Sequence, residues 1–148
     1  MEHWDVIEAW RPETPSGRSQ IGGTTEVTDL AETDRNKSQV RAFVERVLIE
    51  GDHRSLNEFV ASDLVQHDLG IENGASAWLE DLEKRRVRYT ELFKLIGQGN
   101  FVVTHCKVGV DSQPYAIFDV FRLAGRRIVE RWMNSEVVPE DTGNSGKF

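Results

Sequence analysis

The 148-residue chain predicts an α+β domain, with three helices packed on one face of an antiparallel sheet. Two observations carry that reading. Between Asp34 and Arg85, three stretches place their apolar residues at helical spacing, and from Val87 onward four β-like runs follow one another, divided by short turns. The stretch from Tyr115 to Met133 shows the β pattern best: two runs rich in β-branched and aromatic residues flank Leu123-Ala124-Gly125-Arg126-Arg127, which is a β-hairpin signal.

Length and composition bound the rest. A chain of this size fits one domain with a core large enough to fold alone. The net charge of −7 argues against a general nucleic-acid binder, which needs a basic face, and against binding to anionic membranes. The single cysteine, Cys106, forbids an internal disulfide and reads as a small buried hydrophobe in a strand. With neither a secretory apolar region nor a long apolar run, a cytoplasmic protein is expected.

Residues 1–33 read as an extension of the domain that spans 34–148. Glu2-His3-Trp4-Asp5-Val6-Ile7 has strand character, and the chain from Arg11 to Asp34, rich in Pro, Gly, Ser, Thr and acids, reads as a linker. Glu2-His3-Trp4-Asp5 resembles Glu130-Arg131-Trp132-Met133, so the extension looks like a duplicated terminal strand. Such a copy is expected to dock on a sheet edge of its own chain or of a partner, the alternative being a mobile tail.

The first helix is expected over Asp34–Glu50. Val40, Phe43, Val44, Val47 and Leu48 form its buried face, Thr33 or Asp34 caps its start, and Gly51 suits its end. A short second helix over His53–Val60 turns Leu56, Phe59 and Val60 inward, and Leu64-Val65-Gln66-His67 follows as an extended piece. The third helix, Ala75–Arg85, carries Ala75, Trp78, Leu79 and Leu82 on one face. Strands then follow over Val87–Ile96 and Phe101–Val108, before the hairpin. A three-residue loop at Ala124-Gly125-Arg126 sets Leu123 opposite Arg127 and Asp119 opposite Arg131. Ile117, Asp119 and Phe121 then share a face with Val129, Arg131 and Met133.

No metal motif, nucleotide loop or nucleophile elbow occurs, so neither metal nor cofactor is expected. What remains is a set of polar groups inside apolar runs: Gln66, His67, His105, Asp119, Arg131 and Trp132. Asp119, between Phe118 and Val120, needs the most explanation, because a buried charge is costly unless paired.

Several segments carry a family resemblance: Asn36 to Leu48, Val65-Gln66-His67, Gly97-Gln98-Gly99-Asn100-Phe101-Val102-Val103, Phe118-Asp119-Val120-Phe121-Arg122, Ile128-Val129-Glu130-Arg131-Trp132 and Asn144-Ser145-Gly146-Lys147-Phe148. Over 34–148 the chain resembles the SnoaL-like (polyketide-cyclase-like) branch of the NTF2-like superfamily. The resemblance implies a cone, in which a curved antiparallel sheet wraps around the helices and leaves an apolar pocket, and dimerisation through the sheet. It also implies aldol-type ring closure, or the ketosteroid isomerisation and epoxide opening of related folds. The chain departs from the family at the terminal motif, where Glu130-Arg131-Trp132-Met133 replaces Glu-His-Trp-Asp; His3 and Asp5 keep the usual form. Arg131 cannot act as a base at neutral pH, but it can pair with Asp119 and hold it ionised.

The expectation is therefore a homodimer with a pocket for a small, largely apolar ligand. If catalytic, it performs acid/base chemistry next to a carbonyl, with Asp119 as acid or base and with His67 and His105 orienting the substrate or stabilising an enolate. Gln66, Arg131 and Trp132 are the ligand-binding candidates. The alternative is a non-catalytic binding or dimerisation module, in which Asp119 and Arg131 form a structural ion pair.

Overall fold

A computed structural model of the protein describes residues 12–138. Glu2–Ile7, with His3 and Asp5, and the closing Asn144–Phe148 lie outside the described residues.

The element order is α1 (Thr33–Phe43), α2 (Leu56–Phe59), β1 (Val60–Gln66), α3 (Ala75–Lys84), β2 (Arg88–Gln98), β3 (Phe101–Val110), β4 (Gln113–Ala124) and β5 (Arg127–Val137). A 3-10 turn at Leu30–Glu32 precedes α1. Thr33 does not cap the helix with its side chain; its hydroxyl donates to the Leu30 carbonyl and accepts the Gly99 N–H. Beyond Phe43 the helix widens into a π-helical turn, Val44–Ile49, and ends at Gly51 with φ 77°. The expected apolar face is buried: Val40, Phe43, Val44, Val47 and Leu48 all belong to the core. The second helix is shorter than expected. A 3-10 turn at His53–Ser55 leads into the single turn of α2, and Val60 is already extended.

The five strands form one sheet in the order β1-β5-β4-β3-β2. Four of them make the expected antiparallel meander. The sheet as a whole is mixed, because β1 lies parallel to β5 and pairs Gln66 with Arg131. The extended piece foreseen at Leu64–His67 is thus an edge strand. Two short turns have positive φ at both central residues, Asp111-Ser112 and Gly125-Arg126, as a tight hairpin with the right-handed strand twist requires.

The β4–β5 register differs from the expected one. The loop is Gly125-Arg126 alone, so Ala124 pairs with Arg127 and Leu123 with Ile128. A bulge at Val129 then shifts the ladder, so that Phe121 faces Arg131 and Asp119 faces Met133. Two one-residue offsets preserve parity, so Asp119 and Arg131 still share a face. Ile128, rather than Val129, turns inward beside Leu123. Bulges at Thr90 and Phe93 do the same for β2, keeping Tyr89 and Leu92 against Val108 and Cys106. Such bulges increase local twist and curve the sheet.

The core lies between the inner face of the sheet and the helices. Phe43 meets Phe121 edge-on at 5.9 Å and Trp78 at 5.5 Å. Burying aromatics of this size dominates core energetics. Within the Arg11–Asp34 stretch read as linker from composition, Ser16, Ser19, Gly22, Thr24 and Thr28 bond to residues of the sheet and its loops. The Thr28 N–H donates to Asn100 Oδ1, and the Asn100 N–H donates back to the Thr28 carbonyl.

Candidate functional site

β4 carries Asp119 to the centre of the inner face, opposite Thr104 on β3 and Met133 on β5. Its carboxylate is fully buried. The Arg131 Nε–H and Nη2–H donate to its Oδ1 at 2.9 and 2.7 Å. The Tyr89 hydroxyl donates to Oδ2 at 2.9 Å. A carboxylate between Phe118 and Val120 is therefore accounted for: it meets a guanidinium and a phenol that the strand alternation aims at the same point.

Arg131 links this pair to the edge of the sheet. Its guanidinium lies over the Trp78 ring, 4.3 Å from the centroid, which supplies a cation–π contact. Its Nη1 approaches Asp68 Oδ2 at 3.6 Å, longer than a hydrogen bond. Asp68 is held by its other oxygen, which accepts the Gly70 N–H at 2.7 Å. The Gln66 side chain comes from the residue paired with Arg131 and is also completely buried. Among the described residues, the Gln66 amide, Asp68 Oδ2 and Arg131 Nη1 have no hydrogen-bond partner.

Electrostatics follow from burial and from this one cation. Burial pushes the Tyr89 phenol well above its ordinary value, and the Asp119 charge adds to that while Arg131 opposes it. Burial alone would lower Arg131, but the charges of Asp119, Tyr89 and Asp68 outweigh it and hold the guanidinium above its ordinary value. Burial, with the nearby Asp119 charge, raises the Cys106 thiol to about 12, which fits an inert core thiol.

The sequence candidates divide between the two faces of the sheet. Asp119, Arg131 and Gln66 converge on the inner face. His67, Trp132 and His105 do not join them. Because Gln66 and Arg131 point inward, the next residue of each strand points outward, so His67 stacks on Trp132 with ring centroids 4.7 Å apart and planes at 5°. His67 Nε2 meets Glu130 Oε1 at 2.8 Å, and Glu130 Oε2 accepts the Arg122 Nε–H at 2.7 Å. His105 pairs with Phe118 in the β3–β4 ladder and stacks on its ring at 4.2 Å. Strand alternation places His67 and His105 on the face opposite Asp119, a choice that the alternation of the Phe101–Val108 run left open for His105.

Three residues that the sequence reading passed over complete the arrangement. Asp68 continues the polar run Gln66-His67, and that run after apolar Leu64-Val65 was the available signal. Tyr89 is an ordinary strand aromatic by sequence, and its hydroxyl partner is visible only in three dimensions. Glu130 is buried on the outer face between His67 and Arg122. Surface clefts lined by Gly70, Ile71 and Glu80, by Leu48, Glu50 and Arg88, and by Asp34, Lys37 and Leu95 do not include Asp119. Among the described residues no cluster of His, Cys, Asp and Glu could hold a metal ion, and no helix is long and apolar enough to cross a membrane.

No family model and no curated protein sequence matches the chain. Solved structures do. An NTF2-like protein from Cytophaga hutchinsonii is 16% identical with a TM-score of 0.60, over 77% of this chain and 95% of that one. IdmH from Streptomyces antibioticus, a candidate polyketide cyclase, is 19% identical with a TM-score of 0.58, over 69% and 92%. An LEH-like epoxide hydrolase of M. tuberculosis is 20% identical with a TM-score of 0.57, over 71% and 85%. With its five-stranded curved sheet and packed helices, the chain has the NTF2-like fold shared by these proteins.

Proposed function

We propose that the protein is a SnoaL-like domain that binds a small, largely apolar ligand through a carbonyl oxygen and moves a proton on the carbon beside it, in the manner of an aldol cyclase or an isomerase. One observation carries the reading. The inner face buries Asp119, Arg131 and Asp68 together and leaves donors of Arg131 and Gln66 without hydrogen-bond partners. Buried ion pairs are weak devices for stability, and perturbed charged clusters concentrate at functional sites. Asp119 Oδ2 accepts one hydrogen bond, from Tyr89, and so retains acceptor capacity for a proton. Arg131 Nη1 and the Gln66 amide offer donors for the oxygen on which negative charge develops. His67 and His105 take no part in this step. The candidate polyketide cyclase and the LEH-like epoxide hydrolase agree with small-molecule chemistry on this fold, and the fold by itself assigns no activity.

The rival reading is a non-catalytic module. Full burial of Asp119 and occupation of both its oxygens favour it. The deciding experiment follows deuterium uptake at the α-carbon of an apolar cyclic ketone, 4-phenylcyclohexanone, by NMR in D2O, together with binding of 2-naphthol as an enolate analogue. The reading expects catalysed exchange that disappears in Asp119→Asn while circular dichroism stays native, since Asp68 remains as counter-ion to Arg131. Absence of both exchange and binding in the native protein would leave the structural ion pair. The homodimer is part of the proposal, and sedimentation showing a monomer at working concentration would remove it.

A further inference from the structure

Residues 16–28 form a strap across the outer face of the sheet, and the sheet grips it through main-chain atoms. The Trp132 indole N–H donates to the Gly22 carbonyl at 2.7 Å. Glu130 Oε1 accepts the Thr24 N–H at 3.4 Å. His67 Nδ1 meets the Ser19 carbonyl, and its Nε2 meets Glu130. Between these contacts lies Gly23, with φ 106°; a Cβ there would overlap Glu130 Oε1 and lie 2.8 Å from the Trp132 ring and 2.9 Å from His67 Nε2. The seat therefore reads a bare backbone and admits glycine alone at its centre.

Its chemistry turns on His67. Both ring nitrogens face oxygens that can only accept: a carbonyl and a carboxylate. A neutral imidazole has one N–H and could satisfy only one of them, leaving a lone pair against a lone pair at the other. The charged groups around it are compatible with an imidazolium. Glu130 from β5 faces it directly, and Arg122 from β4 stands behind Glu130. On the strap side it meets the main chain of Ser19 and Gly23. From its own loop, Asp68 turns to the Gly70 N–H and Arg131 instead. Trp132 covers the ring face and brings no charge.

We propose that the strap is a protonation-controlled latch: a doubly protonated His67 bridges Ser19 and Glu130 and holds the strap down, and loss of one ring proton releases it. Release uncovers Trp132 and frees the Gln66 carbonyl at the end of β1, which accepts a hydrogen bond from Ser16 Oγ at 2.6 Å. The latch acts on the outer face and is observable without any ligand, so it stands apart from the proposed chemistry.

The test uses the full chain. Nitrogen-15 NMR reports the protons on the His67 ring, and hydrogen exchange corrected for intrinsic rates reports the amides of residues 19–24, both from pH 6 to pH 9. The expected result is two ring protons at pH 6, then loss of one on raising the pH, accompanied by at least tenfold faster exchange in the strap. His67→Gln should make strap exchange independent of pH at the released rate. A neutral ring at pH 6, strap exchange that ignores the ring's titration, or a ring that keeps both protons to pH 9 over an unchanged strap would each overturn the latch. Should His67→Gln not fold, the native protein's titration decides alone.

Discussion

Asp119 and Arg131 meet diagonally: Arg131 lies opposite Phe121, one inward position along from the residue opposite Asp119, yet its guanidinium grips Asp119 Oδ1 with two nitrogens. The pair sits where a long side chain can reach across the ladder to its diagonal neighbour. This contact joins the hairpin to the core and to Asp68 at the sheet edge.

Arg131→Met should destabilise the protein by about 3–5 kcal/mol, because it leaves Asp119 buried without its cation. Replacing both partners, with Asp119→Leu and Arg131→Met together, should recover part of that loss, since the Asp119 charge is no longer stranded and only Asp68 is left facing the lost guanidinium. Urea denaturation of the three variants and the native protein measures the difference.

Tyr89→Phe removes the donor on Asp119 Oδ2 and leaves the ring in place. A hydrogen bond to a charged group is worth about 1.5–3 kcal/mol, and a loss of that size is expected from the same denaturation curves. In the native protein the phenol should not ionise at pH 10 to 11, because burial raises it well above its ordinary value; ultraviolet titration at the phenolate band reads this.

Glu130 gives the acid side of the stability profile. Burial pushes its carboxyl upward, but hydrogen bonds from Arg122, His67 and the Thr24 N–H outweigh this and hold it below its ordinary value. With the folded value depressed, the unfolded state binds the proton first, so stability from this group is fully present above about pH 4.5 and falls as the pH drops through the folded value. Glu130→Gln should flatten that part of the curve, which melting temperatures between pH 3 and pH 6 will show.

Gly23→Ala should lift the strap. The new methyl overlaps Glu130 Oε1, and the residue would carry a side chain at φ 106°. Backbone strain of that kind costs about 1–3 kcal/mol, enough to compete with the few hydrogen bonds that hold the segment. Faster amide exchange over residues 19–24, with the sheet amides unchanged, is the expected signature.

The sequence by itself determined the α+β class, the buried face of α1 and the meander of strands, because those depend on periodicity within single elements. Val40, Phe43, Val44, Val47 and Leu48 are buried because a helix repeats every 3.6 residues, and no partner need be known to see it. It also singled out Asp119 and Arg131, since a charge inside an apolar run must find a partner. The tertiary structure alone decided which polar groups stand together. A bulge at Val129 set the register, the parallel edge strand brought Gln66 and Asp68 to Arg131, and alternation sent His67, Trp132 and His105 to the other face. The strap lay beyond the reach of composition, because Gly, Ser and Thr read as linker until the outer face of the sheet supplies partners for their backbone. Periodicity is a local property of the chain, whereas register, strand neighbours and hydrogen bonds to the main chain are fixed only when distant segments meet.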